Sequence, residues 1–358
     1  SRTGHTVNTV TPCTRSQGAV VGPRPRFHYK LNQSHLVAAF TLLEFDMRVP
    51  RLNRGWVLRL LIWLTAGSAV SAAEPVPKVL IIGIDGCRPD ALQMAATPHL
   101  DALMAEGIWF EATDIRKPDS TDMADTISGP GWSNILTGVW PDKHGVLDNK
   151  FTDPQYDRYP HVFTRLKQAR PAARTASFTT WKPIADRIVR DADLSHNVSD
   201  EPTDYARWDA DVTKTCVAHL RDANPELTIL YQGQVDETGH AHGFHPTVPQ
   251  YIAAIETVDA NLGEVLAVVR SRPRFTNENW LVLVCTDHGG LGTNHSRGRN
   301  EPDIRRTFLI VSGPSALRGT SDEATYQVDV VATALTHLGV ELRDEWELDG
   351  RPVGLKPR

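Results

Sequence analysis

Short runs of consecutive apolar residues recur along the chain from residue 79 onward. They cover 79–84, 227–231, 281–285 and 308–311. Runs this short and this continuous are typical of strands that are buried on both faces of a sheet. The pattern therefore predicts four central strands.

The segments between these runs carry apolar residues at the spacing of helices. Residues 98–106 form one such segment, and residues 248–269 form a longer one. A third places Trp208, Val212, Cys216, Val217 and Leu220 on one helical face. Strands that alternate with helices predict an α/β fold, with a doubly wound, mostly parallel sheet flanked by helices. In such a sheet the ligand site lies at the carboxyl ends of the strands.

The first 73 residues have a different pattern. Residues 47–73 begin at Met47 with a basic stretch, continue through the apolar run 60–64 and end in small residues. That order is typical of a secretory signal peptide, and the apolar run is too short for a membrane-spanning helix. We therefore expect a secreted or periplasmic protein whose mature chain begins near residue 73 or 74. Residues 1–46 would be an upstream segment, and residues 74–358 a single catalytic domain.

Composition narrows the class of protein. The chain of 358 residues has 41% hydrophobic and 23% charged side chains, with a net charge of -5. This is ordinary for a globular protein and argues against one that coats nucleic acid. Cys13, Cys87, Cys216 and Cys285 show no CxxC spacing, so we expect buried free thiols rather than a disulfide framework.

Three of the predicted strands are followed by residues that commonly bind metal ions. They are Asp85 after the first strand, Asp236 and His240 after the second, and Asp287, His288 and His295 after the third. Carboxylate and imidazole ligands together suit Zn²⁺ or Mn²⁺ better than Ca²⁺ or Mg²⁺. Six ligands are enough for two divalent ions, most readily Zn²⁺, with open positions for a substrate. Two ions about 4 Å apart can stabilise the entering and leaving oxygens of an in-line displacement.

Residues 126–138 (TISGPGWSNILTG) and 140–145 (WPDKHG) carry a family resemblance. They resemble the nucleophile region of the alkaline phosphatase superfamily, especially its nucleotide pyrophosphatase/phosphodiesterase branch. That branch places Ser or Thr two residues before a Pro, which here is Ser128. Asn149 matches its Asn, which donates to a nonbridging phosphoryl oxygen. Two further superfamily signatures are resembled by residues 97–101 (TPHLD) and 348–350 (LDG). The resemblance implies a strand followed by a turn at 348–350.

The resemblance also implies how the metal ligands are divided. Asp85, Asp287 and His288 would hold one ion next to Ser128, and Asp236, His240 and His295 would hold the other. His295 departs from the branch, whose last His usually lies far downstream, and is closer to the phosphopentomutase pattern. His242 and His245 are the alternatives for this ligand.

The function implied is a phosphodiesterase or nucleotide pyrophosphatase that acts on a small phosphate ester through a phosphoseryl intermediate. Metal coordination would favour the alkoxide of Ser128, because a free hydroxyl is a weak nucleophile. Thr126 and Ser133 are rival nucleophiles that lack the Pro two residues on. A phosphomonoesterase and a catalytically inactive binding module on the same fold stay open. A sulfatase is disfavoured by Trp132, which stands where its Arg is expected, and a mutase by the signal peptide.

Overall fold

A computed structural model describes residues 74–117 and 123–357. The predictions for 1–46, for the signal peptide 47–73 and for Cys13 lie outside the described residues. Among the described helices, none combines the length and hydrophobicity that crossing a membrane requires.

The core of the fold is one mixed sheet. Its strands are β1 (Val76–Ile84), β2 (Ile108–Asp114), β3 (Thr175–Thr179), β4 (Leu194–Asn197), β5 (Leu227–Gln232), β6 (Glu278–Cys285), β7 (Arg306–Ser312), β8 (Gly319–Thr320) and β9 (Thr325–Tyr326). They lie in the order β4-β3-β5-β1-β6-β7-β2-β8, and β9 also pairs with β2. All neighbours are parallel except β7, which runs antiparallel to both β6 and β2. The predicted doubly wound, mostly parallel sheet is confirmed, with all four predicted strands in it.

Helices cover both faces of the sheet. They are α1 (Pro89–Met94), α2 (Pro98–Glu106), α3 (Ser128–Thr137), α4 (Pro141–His144), α5 (Val162–Ala169), α6 (Tyr205–Asp222), α7 (Gln234–His242), α8 (Pro249–Arg270), α9 (Pro302–Arg305) and α10 (Asp329–His337). Prolines at the first or second position of five of these helices need no backbone hydrogen-bond partner there.

Strand β1 shows why the apolar runs are continuous. Val79 and Ile81 pack into a core with α3, α5 and α10 on one face, while Leu80 and Ile82 pack into a second core with α6 and α8. Successive side chains of a strand point to opposite faces, so a strand between two helical layers needs apolar residues at every position.

The cysteines and the segment 348–350 have structural roles, which differ in part from the predictions. Cys87, Cys216 and Cys285 are buried free thiols, as expected. The expectation of a strand at 348–350 was wrong: the segment is irregular, and Asp349 accepts hydrogen bonds there from Trp140 N (2.9 Å) and Lys143 Nζ (2.6 Å). Asp349 therefore fixes the start of α4 instead of extending the sheet.

Candidate active site and metal-binding groups

Asp85 and Asp287 come together because their strands are parallel neighbours. Asp85 directly follows β1, and Asp287 lies two residues beyond the end of β6. The register pairs Gly83 with Cys285, so the segments that follow β1 and β6 leave the sheet side by side. A hydrogen bond of 3.2 Å from Gly86 N to Asp287 Oδ1 then joins the two loops.

Asp236 and His240 are not in the local structure that we expected. Strand β5 ends at Gln232, and both residues lie in α7, four residues apart. Residues at this spacing share one helical face. His240 Nε2 lies 3.4 Å from Asp236 Oδ2, so the helix itself brings this pair together.

His295 reaches the site from the loop after β6. Its Nδ1 lies 2.9 Å from the carbonyl oxygen of Thr126, and Thr126 Oγ1 donates back to the carbonyl oxygen of His295. Its Nε2 lies 3.5 Å from Asp236 Oδ1. The alternatives, His242 and His245, are exposed and belong to neither group of clustered ligand atoms in the described part of the chain.

The six candidate ligands form two groups. Within each group the ligand atoms lie within 4.8 Å of one another, and the groups are Asp85, Asp287 and His288, and Asp236, His240 and His295. The rings of His288 and His295 stack with centroids 3.7 Å apart, so the groups are adjacent. This is the division that the family resemblance implies.

The hydrogen bonds of the three imidazoles leave one nitrogen of each directed into the site. Nδ1 of His288, His295 and His240 lies 2.9, 2.9 and 3.0 Å from the carbonyl oxygens of Gly289, Thr126 and Thr293. A carbonyl only accepts, so each Nδ1 donates, and in the neutral imidazole that a metal ion binds each Nε2 keeps its lone pair. Partners of this kind orient metal-binding histidines. The Nε2 atoms of His240 and His295 face each other at 2.9 Å, an arrangement that a shared cation or proton stabilises.

Several buried polar atoms in the site have no hydrogen-bond partner, and their ion-pair contacts are with one another or with His295. Within residues 74–117 and 123–357, these atoms are Asp85 Oδ1, Asp236 Oδ1, Asp287 Oδ2 and His288 Nε2. Leaving such an atom unsatisfied costs about 1–3 kcal/mol, and more when it is charged. Mixed oxygen and nitrogen donors that converge without partners fit two divalent cations of the Zn²⁺ or Mn²⁺ type.

The protein environment opposes the charges of Asp85, Asp287 and His295, whereas the hydrogen bond between Asp236 and His240 raises the pKa of His240 to about 9. Burial, and then the neighbouring Asp236, raises the pKa of Asp85 to about 6. Burial together with Asp85 raises the pKa of Asp287 well above its usual range. Burial also lowers the pKa of His295 to about 3, and the charge of His288 adds to this effect. Three carboxylates crowded in a buried site require positive charge, which bound cations would supply.

Asp85 is held by two aromatic side chains. Its Oδ2 accepts hydrogen bonds from Trp132 Nε1 (2.8 Å) and Tyr231 OH (2.6 Å). Trp132 is buried against Gly83, where an added Cβ would come 2.2 Å from the indole ring. Trp132 therefore orients Asp85 and leaves its Oδ1 directed toward Asp287 and His288. The residue that stands where a sulfatase would carry Arg thus has a different role here.

Ser128 occupies the first position of α3. Close packing brings this turn to the metal-ligand groups, since a Cβ on Gly131 would lie 2.8 Å from Asp287 Cβ. Its hydroxyl makes no hydrogen bond within the described part of the chain. The first turn of α3 carries no acidic residue, so the positive end of its helix dipole favours an anion there.

The rival nucleophiles are engaged elsewhere. Thr126 Oγ1 donates to His295 O and accepts from Gly298 N at 2.9 Å. Ser133 Oγ donates to Gly129 O at 2.6 Å and lies 2.7 Å from Tyr156 OH, and Ser133 is fully buried. These contacts favour Ser128 as the reactive hydroxyl.

Asn149 is fixed next to Ser128. Its Oδ1 accepts a hydrogen bond of 2.7 Å from Gly129 N. The acceptor side of the amide is therefore in use, and the two hydrogens of Nδ2 are the groups that can bind a ligand.

A cleft of about 310 Å³ opens onto these residues. Ser128, Asn149, Asp236, His240 and His295 line it, together with Trp181, Tyr205, Glu237 and Ser296. The second set is not among the site residues predicted from the sequence, although Glu237 could have been found from its place beside Asp236. A larger cavity of about 640 Å³ lies by Glu278 and Ser312, at the opposite end of β6, and contains none of these side chains.

Asp209 of α6 is a buried carboxylate that sequence reasoning missed. Its Oδ1 accepts from Thr180 Oγ1 (2.8 Å) and Gly233 N (2.9 Å), and its Oδ2 accepts from Gln234 N (2.8 Å). Gly233 and Gln234 begin the helix that carries Asp236 and His240. Asp209 thus fixes the position of both candidate ligands without touching them.

We expect Asp209→Asn to raise the concentration of divalent ion needed for half-maximal activity by about tenfold, because an amide NH2 replaces one of the two carboxylate oxygens that accept from the start of α7. Titration of the metal-free protein with Zn²⁺ or Mn²⁺ measures this shift. Asp211→Asn, on the exposed side of α6, the helix that also carries Asp209, is the matched control. An unchanged titration curve for Asp209→Asn would contradict a positioning role.

The sequence profile of the type I phosphodiesterase/nucleotide pyrophosphatase family matches residues 79–305. The chain is 25% identical over 264 residues to ectonucleotide pyrophosphatase/phosphodiesterase family member 7 of Homo sapiens, covering 68% of this chain and 54% of that protein. It is 24% identical over 235 residues to bis(5'-adenosyl)-triphosphatase ENPP4 of Bos taurus, covering 61% and 48%. The chain therefore spans about half the length of these curated relatives.

Solved structures show the same fold. An inactive variant of murine ectonucleotide pyrophosphatase/phosphodiesterase 5, in complex with AMP, matches with a TM-score of 0.55 and 17% identity, covering 74% of this chain and 96% of that chain. A 2-O GAG sulfatase matches with a TM-score of 0.61 and 15% identity, covering 78% and 73%. The two classes share the architecture, so the fold alone does not separate them. The family profile does, since it matches more than half of the sequence: this chain belongs to the type I phosphodiesterase/nucleotide pyrophosphatase family.

Proposed function

We propose that this protein is a two-metal phosphodiesterase that acts through a phosphoseryl intermediate on Ser128. The observation that carries the proposal is the grouping of six ligand side chains, in two adjacent sets, beside a serine hydroxyl without a partner in the described chain. We further propose, from residues 47–73, that the protein is secreted or periplasmic.

Asp85, Asp287 and His288 would hold one divalent ion, and Asp236, His240 and His295 the other, with Zn²⁺ preferred and Mn²⁺ the alternative. Such ions, when bound, polarise phosphoryl oxygens and promote ionisation of a nearby hydroxyl group. The inward Nε2 atoms and the buried carboxylate oxygens without partners support this assignment.

The chain's own groups account for substrate positioning and attack. Ser128 Oγ would form a bond to phosphorus while the ester oxygen opposite to it departs as the alcohol. The Nδ2 hydrogens of Asn149 would donate to a nonbridging oxygen, and the N-terminus of α3 would stabilise the same negative charge. Water would then hydrolyse the phosphoserine and restore the hydroxyl of Ser128.

A phosphodiester fits the cleft better than a phosphomonoester. A monoester carries a second negative charge, which an arginine beside the metal ions would best stabilise. No arginine or lysine lines the cleft among the described residues. Arg297, two residues after His295, is exposed and lies outside this lining. Asn149 is a neutral donor, which is sufficient for a singly charged diester.

We expect a phosphodiester to be cleaved with a higher kcat/KM than a phosphomonoester or a sulfate ester of the same aryl alcohol. The comparison isolates transition-state stabilisation, because the leaving group is constant. The metal-loaded protein is assayed against the three esters under identical conditions. A monoester preferred by about tenfold, equivalent to about 1.4 kcal/mol, would overturn the diesterase assignment while leaving the serine mechanism intact.

A further inference from the structure

A second cavity, which we call the distal cavity, lies at the opposite end of β6 from the candidate metal ligands. Its volume is about 640 Å³, within the range of pockets that bind small molecules. Glu278, the first residue of β6, lines it, whereas Asp287 lies two residues beyond the last. A strand rises about 3.3 Å per residue, so roughly 25 Å separates the distal cavity from the candidate active site. A molecule bound in it would therefore be distinct from the substrate.

Apolar side chains form much of the wall of the distal cavity. They come from α2, α8 and β6 and are Leu103, Leu266, Val269, Trp280 and Val282. All five are buried members of the second core. Phe275 also lines the cavity, and 36% of its surface is exposed. Apolar surface gains free energy when it leaves water, so this wall favours the hydrocarbon part of a ligand.

The acidic side chains of the lining are already paired with cations. Glu106 Oε2 lies 3.3 Å from Arg270 Nη2. Glu278 Oε2 lies 2.8 Å from Arg272 Nε, and it also accepts a hydrogen bond of 2.8 Å from Trp280 Nε1. Both carboxylates therefore contribute little net charge to the cavity.

Two cations of the lining have no carboxylate partner. Arg318 and Lys356 are exposed, and neither forms an ion pair with another residue of 74–117 or 123–357. Lys356 Nζ donates to the carbonyl oxygen of Pro314 at 2.7 Å, a contact that leaves its charge uncompensated. The lining therefore carries an excess of positive charge beside the apolar wall.

Buried polar groups of the lining also lack partners. Ser312 is 1% exposed, and its Oγ has no hydrogen-bond partner in the part of the chain that the structure describes. The same holds for Asn279 Oδ1, and the amide of Asn279 bonds at 2.7 Å to the hydroxyl of Ser315, which can donate or accept. Rotation of this amide would place Nδ2 where Oδ1 now lies. An acceptor on a ligand would satisfy both groups, which are costly to leave unpaired.

We propose that the distal cavity binds an alkyl carboxylate of medium or long chain. The hydrocarbon tail would pack on the apolar wall, and the carboxylate would lie near Arg318 and Lys356 and accept a hydrogen bond from Ser312. A cationic amphiphile would bury the same tail but would be repelled by the two cations. The inference is independent of the proposed function, because no residue of the catalytic cleft takes part in it.

Equilibrium dialysis of the metal-loaded protein against radiolabelled decanoate, below its micellar concentration, measures this binding. We expect one saturable site per chain. Decyltrimethylammonium has the same tail and a cationic head, and its Kd should be at least about tenfold higher. Octanoate is two methylenes shorter than decanoate, so it should bind roughly tenfold more weakly.

Substitutions assign the binding to the distal cavity. Arg318→Gln combined with Lys356→Gln should raise the Kd for decanoate about tenfold and remove most of the preference over decyltrimethylammonium. Lys214→Gln, which changes an exposed cation outside the lining, is the matched control and should leave both Kd values unchanged. Ser312→Ala should raise the Kd for decanoate about fivefold without lowering the Tm of the ligand-free protein, because its hydroxyl has no hydrogen bond to lose there.

The outcomes separate this inference from the proposed function. Absence of saturable binding, or equal affinity for decanoate and decyltrimethylammonium, would overturn the inference. Competitive inhibition of diester cleavage at the Kd found by dialysis would place the carboxylate at the metal ions and would also overturn it. An unchanged Kd in both the double variant and Ser312→Ala would have the same consequence. Dialysis needs no turnover, so a protein that binds decanoate as described but cleaves no diester would support the inference and overturn the proposed function.

Discussion

Ser128→Ala is expected to lower kcat by roughly a thousandfold or more while divalent ions still bind. The substitution removes the atom that would form the bond to phosphorus. It disturbs little else, because this hydroxyl makes no hydrogen bond within residues 74–117 and 123–357. A small residual rate is expected, since the metal ions and Asn149 would still stabilise charge on a phosphate attacked by water. Steady-state kinetics measures the loss of kcat, and metal analysis of the same preparation measures whether the divalent ions are still bound.

Ser133→Ala is the matched control for this experiment. It removes a buried hydroxyl that bonds to Gly129 O and contacts Tyr156 OH. We expect a loss of about 1–3 kcal/mol in the free energy of unfolding but a kcat within a few-fold of the wild type. Mass spectrometry of protein quenched during turnover should find phosphate on Ser128. Phosphate on Thr126 or Ser133 instead, or near-normal turnover of Ser128→Ala, would disprove the assignment.

Removal of divalent ions is expected to abolish turnover and to destabilise the fold. The buried carboxylates Asp85 and Asp287 would lose the positive charge that offsets their repulsion. A ligand present at 100 times its Kd stabilises the folded state by about 2.7 kcal/mol, so each lost ion should lower Tm by several degrees. Chelation followed by dialysis, then thermal unfolding and activity assays, measures both effects. Addition of Zn²⁺ or Mn²⁺ should restore both the activity and the Tm.

Metal stoichiometry distinguishes the two ligand groups. We expect two ions per chain in the wild type and one in His295→Ala, because the second group would keep only Asp236 and His240. His242→Ala, which changes an exposed histidine outside both groups, should retain two ions. Full activity with a single ion per chain would refute the two-metal mechanism, and unchanged metal content in His295→Ala would place the third ligand elsewhere.

The apolar runs of the sequence predicted four of the nine strands that the structure describes, and the sequence also proposed the six ligand side chains that lie in two groups. Continuous apolar runs such as 79–84 and 281–285 predict strands buried on both faces, whereas the fully buried β3 has the sequence TASFT and gave no such signal. Asp85 directly follows the first of these segments and Asp287 lies two residues beyond the second, so parallel pairing makes them neighbours. Their roles as metal ligands, and that of Ser128 as nucleophile, remain proposals, although the geometry brings together the groups that we expected.

Tertiary structure decided the features that depend on residues far apart in the chain. Asp236 and His240 lie in a helix that contains a glycine, Gly239, and little apolar periodicity, and the amides at its start bind Asp209 of another helix. Which hydroxyl is left without a partner was also a tertiary result, because Thr126 is engaged by the loop that carries His295. The sequence by itself determined the periodicity of the elements and the chemistry available to the site. Packing determined which groups converge and which are occupied, because hydrogen bonds and contacts between distant segments have no signal in local spacing.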